Sequence, residues 1–351
     1  MDRLFKFLLA LCLLSVLGLA CASPALLYRT SALQTLPGTG QRWGFAALQP
    51  DSSTLFIARR ENGLTLFDVE TQRAGATLAN SAGANAVAFV PRYNRAYVAN
   101  MDGTLGIIAL DNRKVLKRLK LDDGNLNNLL YDRYSNRLIV TSGRRGDHST
   151  LYFIDPASDR LVGQRDLPAR KLDGPIGLSD GTFIVPWRDE NQIALLSGPA
   201  LANQRLLGFA GCRQPSALAA DEKASRLFIA CRGTEPQLVV ADLASGAAIA
   251  TLPISHAVNT MAFDEQSKQL VIASGTDANL TVIGQDEAGH YQVLGSVGTR
   301  PWAHNMVLDS RRQRVYLLTM DFTQPAPSMQ APKADPIFHP DTFTVMTLQA
   351  Q

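Results

Sequence analysis

The chain has little that would mark a familiar class of chemistry. Four cysteines in 351 residues cannot build a disulfide scaffold. A formal net charge of +3 with only 19% charged residues gives no basic or acidic field, so nucleic acid is not an expected physiological partner. That low charge accompanies 46% hydrophobic residues, which excludes a disordered chain. No glycine-rich phosphate loop leads into a helix and no nucleophile-elbow pattern occurs. None of the five histidines has metal-ligand spacing, so neither a metal nor a cofactor is expected. Beyond residue 22 no apolar run approaches the length of a membrane span, and no sustained helical period appears.

Residues 1–22 read as a secretory leader. Arg3 and Lys6 precede an apolar run from Phe7 to Ala20, and Ala20-Cys21-Ala22 supplies a small-x-small cleavage pattern. Cleavage before Ser23 would deliver a soluble chain, 23–351, to the bacterial periplasm. The alternative is a lipoprotein anchored through Cys21, although Gly18 stands where that signal wants an aliphatic residue. Removal of the leader leaves Cys212 and Cys231. An exported chain meets an oxidising compartment, and the hairpin expected around Asp221–Ser225 places Cys231 opposite Pro215, so the two cysteines are predicted to form a disulfide.

The positive signal is a repeat. A short apolar strand, a polar turn, a second apolar strand, a Gly/Asp/Asn loop and a third strand recur seven times. Counting from Phe56 through Tyr97, Ile139, Phe183, Phe228 and Val271 to Tyr316 gives steps of 41, 42, 44, 45, 43 and 45. Third strands such as Leu64-Thr65-Leu66-Phe67 are short and rich in β-formers, and loops such as Asn62-Gly63 carry turn residues. Four short strands per unit, seven times over, predicts an all-β, seven-bladed propeller as one domain over 23–351. The last unit stops before a fourth strand while residues 26–36 form a lone strand at the start. The N-terminal strand is therefore expected to complete the last blade, because an open ring would expose a sheet edge.

The segments Pro91-Arg92-Tyr93-Asn94-Arg95-Ala96-Tyr97-Val98-Ala99-Asn100 and Cys212-Arg213-Gln214-Pro215-Ser216-Ala217-Leu218-Ala219-Ala220-Asp221 are similar to the repeat of YVTN-type, YncE-like propellers. The resemblance extends over the chain after the leader and implies the fold and an exported location. It implies little chemistry, because such propellers share no general catalytic motif. Unit four departs from the repeat, carrying Ser179-Asp180-Gly181-Thr182 where the turn and arginine usually stand.

Propellers bind ligands at one mouth of the central channel, built from loops that enter first strands and leave second strands. Those loops hold Arg42, Trp43, Trp187, Arg188, Arg213, Arg232, Arg300 and Trp302. Guanidinium forks and indole faces suit a small anionic or aromatic ligand. The acids Asp173, Asp189, Glu190 and Glu235 share the loops and offset the field. His304 is the best candidate for a general acid or base. A proline-rich insertion, 323–341, interrupts the last unit and would form a lid, a docking arm or a surface excursion. Two functions follow: an exported, monomeric, non-enzymatic propeller that binds a small ligand or an envelope protein, or a lactonase-type hydrolase using His304, Asp173 and Arg213.

Overall fold

A computed structural model describes residues 27–327 and 334–351. The leader with Cys12 and Cys21, and residues 328–333 of the insertion, lie outside the described residues.

Seven four-stranded antiparallel sheets stand in a ring, each in the order inner, second, third, outer strand. The inner strands run Ala46–Leu48, Ala84–Val90, Leu126–Asp132, Ile176–Gly177, Pro215–Asp221, Val258–Asp264 and Asn305–Asp309. Each lies against the next, and the last against the first, except that in blade four the second strand Phe183–Trp187 meets Pro215–Asp221 in place of the two-residue inner strand. Blade seven is composite: Asn305–Asp309, Arg314–Thr319 and Phe343–Ala350 come from the C-terminal region, and Tyr28–Leu36 pairs with Phe343–Ala350 as the outer strand. The register runs from Tyr28 opposite Ala350 to Leu36 opposite Phe343. The expected N-terminal closure is what the chain forms.

Second and third strands lie between two neighbouring blades and are buried on both faces. Arg95–Asn100 and Thr104–Ala109 are buried after their first residue. This is why they read as near-continuous apolar runs rather than alternating ones. Outer strands face water; Arg73–Thr77 is exposed throughout. The core is a set of apolar clusters, each shared by adjacent blades. Tyr97, Val140 and Ile154 meet in one between blades two and three, and Leu55, Phe67, Tyr316 and Val345 meet in one that joins blade seven to blade one.

Blade four departs from its unit. Phe183 was the expected counterpart of Tyr97 and Phe228, yet its side chain joins Ile139 and Phe153 on the side of blade three. Ile184 joins Leu227 and Ile229 on the side of blade five. The equivalent position is therefore Ile184. A strand's side chains alternate faces, so a slip of one residue in the alignment exchanges the two neighbours. Among the described residues no helix is long and apolar enough to cross a membrane.

Candidate functional site at the channel mouth

The mouth rests on a belt of amides. In blades two, three, five and six the inner strand bulges near its start, and the extra residue is Asn85, Asn127, Ser216 or Asn259. A bulge re-aims its side chain out of the ladder. Asn85 Nδ2 donates to the carbonyls of Leu126 (3.1 Å) and Asn127 (2.8 Å) in the next blade. Asn127 Nδ2 reaches Leu172 O at 2.7 Å, and Ser216 Oγ reaches Val258 O at 3.1 Å. Asn259 Nδ2 donates to Asn305 Oδ1 at 2.5 Å, and Asn305 Nδ2 to Gly44 O at 2.6 Å. Between the inner strands of blades one and two the link is a backbone bond, Phe45 N to Asn85 O at 2.8 Å. The chains pass so closely there that a Cβ on Gly44 would lie 2.0 Å from Asn85 O.

Aromatic rings gather on the blade-seven and blade-one side of this belt. Trp43 stacks on His304 with centroids 6.3 Å apart, and Trp302 meets His304 edge-on at 6.2 Å. The base of the insertion folds over them. Phe322–Thr323 pairs with Ile337–Phe338, and Phe338 meets Trp43 at 5.0 Å and Trp302 at 5.6 Å. A cavity of about 170 Å³ opens between these rings, Gln41, Arg42 and Arg60. Trp302 holds φ 65°, an uncommon backbone state for a bulky side chain. The Trp43 indole N–H is buried without a partner among the described residues.

Cations gather on the opposite side of the mouth. Arg188 approaches Asp173 at 3.3 Å, and Lys171 approaches the same carboxylate at 3.4 Å. Arg232 lies beside them with no ion pair among the described residues. Burial and the Arg188 charge pull its pKa down to about 10, with Asp173 opposing. Burial also lowers Arg60, whose Nε donates to Asn85 Oδ1 at 3.2 Å. Three other rim acids are engaged, Asp189 by Arg144 at 2.6 Å, Glu190 by Arg170 at 3.4 Å and Asp321 by Arg300, while Glu235 is exposed with no ion pair among the described residues. His304 is held neutral, its pKa pushed down to about 4 by burial and then by Arg232.

The disulfide bridges the two mouth loops of blade five. Cys212 and Cys231 are joined with Cα atoms 5.1 Å apart, and Pro215 pairs with Cys231 as the hairpin register required. Arg213 and Arg232 follow the two cysteines directly. Arg232 N donates to Gln214 O at 3.2 Å and Gly233 N to Arg213 O at 3.1 Å.

The eight residues singled out from the sequence therefore divide. Arg42, Trp43 and Trp302 share one cavity, and Arg188 and Arg232 share the cationic cluster. Arg300 lies beside a neighbouring cavity and pairs with Asp321. Arg213 is exposed. Trp187 does not open on the mouth. It is 3% exposed and packs with Leu172 and Val185 against blade three, because alternation along Phe183–Trp187 aims it into the core. Of the other histidines, His148 and His256 are paired with Asp147 and Asp277, and His339 Nε2 lies 2.9 Å from Thr323 Oγ1. His290 lies in an outer turn beside Asp286. Arg60, Phe338 and the amide belt were not singled out from the sequence. The belt left a trace there, in the steps of 42 from Asn85 to Asn127 and 43 from Ser216 to Asn259.

The mouth combines an aromatic wall with guanidinium groups that outnumber their carboxylate partners, an arrangement suited to an anion with a flat apolar part. Among the described residues no group of three or more His, Cys, Asp or Glu side chains is placed to hold a metal ion.

The fold defines the class, a seven-bladed β-propeller. No family model matches the chain, and no curated protein matches it. Solved structures do. A structure titled "Crystal structure of RRP9 WD40 repeats" has TM-score 0.71 at 10% identity, over 92% of this chain and 100% of that one. "Structure of U3-55K" matches with TM-score 0.70 at 10% identity, over 90% and 98%. A chain of "Crystal Structure of Mitotic Checkpoint Complex" matches with TM-score 0.70 at 13% identity, over 99% of both. Identities this low speak for the fold alone.

Proposed function

We infer that this chain is an exported, non-enzymatic propeller of the bacterial periplasm or envelope, similar to the YncE-like group, whose mouth binds a small aromatic anion. The observation that carries the reading is Arg232. Its guanidinium is partly buried beside Arg188 with no ion pair among the described residues, while Asp173, Asp189 and Glu190 are taken by other cations and Glu235 is turned to solvent. A cation in that setting stays charged near neutral pH and lacks a counter-ion, which a ligand carboxylate or phosphate supplies. Across the mouth, Trp43, Trp302 and Phe338 offer a flat apolar surface around His304, whose pKa the Arg232 charge helps to lower. An envelope protein would dock on the same loops through an acidic or aromatic side chain.

The hydrolase reading has less support. A histidine base is normally oriented by a carboxylate. Asp173 is engaged by Arg188 and Lys171, and His304 has rings around it instead. Arg213 is turned to solvent.

Tryptophan fluorescence with 4-hydroxybenzoate as probe tests the binding reading. Arg232→Ala is expected to weaken binding by roughly 10- to 100-fold, the worth of one charge-assisted hydrogen bond. Equal affinity in wild type and Arg232→Ala, or no binding by either, removes the mouth site. Location is tested by the mass of the chain recovered from periplasm: a form starting at Ser23 supports cleavage, and a lipidated Cys21 supports the anchored alternative.

A further inference from the structure

The third residue of each second strand, or its structural counterpart, turns toward the following blade. In blades one, two, five and seven it is aromatic: Phe56, Tyr97, Phe228 and Tyr316, none more than 1% exposed. Each ring meets the corner where the next blade turns from third to outer strand. Arg113 lies over Phe56 at 5.2 Å, Tyr97 Oη donates to Asp159, and Phe228 meets Tyr291 at 5.8 Å.

Blades three, four and six carry Ile139, Ile184 and Val271 there instead. The chain fills two of these three shorter positions itself. Phe209 and Leu243 pack into the cluster around Ile184. Tyr28, the first residue of the outer strand of blade seven, packs into the cluster of Val271 and is 5% exposed. Its hydroxyl lies in the field of Asp264, the last residue of that inner strand.

The third position is left open. The corner facing Ile139 is a single 3-10 turn, Pro199–Leu201, of which only Leu201 is buried. A cavity of about 530 Å³ remains between Ile139, Phe153 and Val162 on one side and that turn on the other. It is larger than the mouth cavities and lies in the range of pockets that take ligands, about 300–1,000 Å³. Asp132 borders it, at the end of its inner strand as Asp264 is in blade six. The Tyr134 ring covers Gly181 at the rim; a Cβ there would meet the ring at 2.4 Å.

We propose that this groove receives a tyrosine side chain from a partner polypeptide, as Tyr28 fills the matching place between blades six and seven. The occupant there heads an extended strand, which points to a polypeptide as the source. Beside the open groove runs Asn203–Leu207, the outer strand of blade four, with four exposed residues and a free edge for an extended chain to lie along. The site is separate from the mouth: it is built from the turns between inner and second strands, which open on the other side of the ring.

N-acetyl-tyrosinamide, titrated by calorimetry and by NMR of the whole chain, is the test. Wild type is expected to bind it saturably and N-acetyl-alaninamide not at all. Ile139→Tyr, which places in blade three the residue of blades two and seven, is expected to lower affinity at least tenfold while Tm holds or rises. Val162→Asp, at a half-exposed wall position, is expected to weaken binding at least fivefold and serves if Ile139→Tyr fails to fold. Absence of saturable binding to wild type, or unchanged binding by the folded variants, overturns the proposal. Binding of p-cresol without binding of N-acetyl-tyrosinamide overturns the polypeptide source.

Discussion

Replacing both Cys212 and Cys231 by alanine should cost about 3 kcal/mol. The bridge spans a sequence separation of 19, so it closes a loop of about 20 residues. In the chain-entropy account such a loop removes about 11 cal/mol/K from the unfolded ensemble, or about 3 kcal/mol at 25 °C. The folded chain keeps the hairpin without the bridge, because Pro215 to Asp221 pairs with Arg226 to Cys231 through backbone bonds. Both cysteines are buried, at 2% and 0% exposure, so their loss adds a small packing term of the same sign. Calorimetry should show Tm falling by roughly 4–10 °C. Either single replacement should cost nearly as much as the pair, since each also loses the bridge. The variant should further bind 4-hydroxybenzoate more weakly, because the bridge holds the loop from which Arg232 projects. A double variant within 1 °C of wild type would refute the entropic reasoning. Two free thiols in a denatured, unreduced chain beginning at Ser23 would refute the bridge itself.

His304 gives a pH dependence with a defined sign. Its folded pKa is about 4 against an ordinary 6.5, so the unfolded chain takes up the proton first, and stability falls as pH drops from about 6.5 to 4, by up to about 3 kcal/mol from this group. Denaturant titrations at pH 7 and pH 4.5 should show that loss shrinking in His304→Gln, and an identical loss in the variant would deny the group its role. Asn85→Ala removes two hydrogen bonds to blade three and one from Arg60, which should cost about 1–3 kcal/mol in urea unfolding with little change in m. A chain lacking 28–36 leaves Phe343–Ala350 as an open edge and removes Tyr28 from the core. It should aggregate or lose cooperative unfolding, and a monodisperse monomer with unchanged Tm would contradict closure by the N-terminal strand.

The ring, its seven units and the pairing of the first strand with the last were legible in the sequence. A repeat forces each unit to present the same faces to its neighbours, and closure follows from a lone strand at one end and a missing one at the other. The disulfide was legible for a local reason: Cys231 ends a hairpin whose register its turn fixes, and Cys212 lies three residues before that hairpin's first strand. Register inside blade four was not, because its inner strand shrinks to Ile176–Gly177 and its turns lose the unit's residues, leaving Phe183 and Ile184 equally plausible as the aligned position.

Position on a loop placed the candidate residues on one face, but it could not say which side chains turn inward. Trp187 and Arg232 both end or follow a second strand. One is packed in the core and the other lies among the charges of Arg188 and Asp173, a difference that contacts with the neighbouring blades decide. Composition and spacing alone determined that this chain closes a seven-bladed ring. Which rings and charges meet at the mouth, and the groove left beside Ile139, were decided by contacts between units. Those contacts depend on volumes supplied by distant residues such as Phe338, Leu201 and Tyr28.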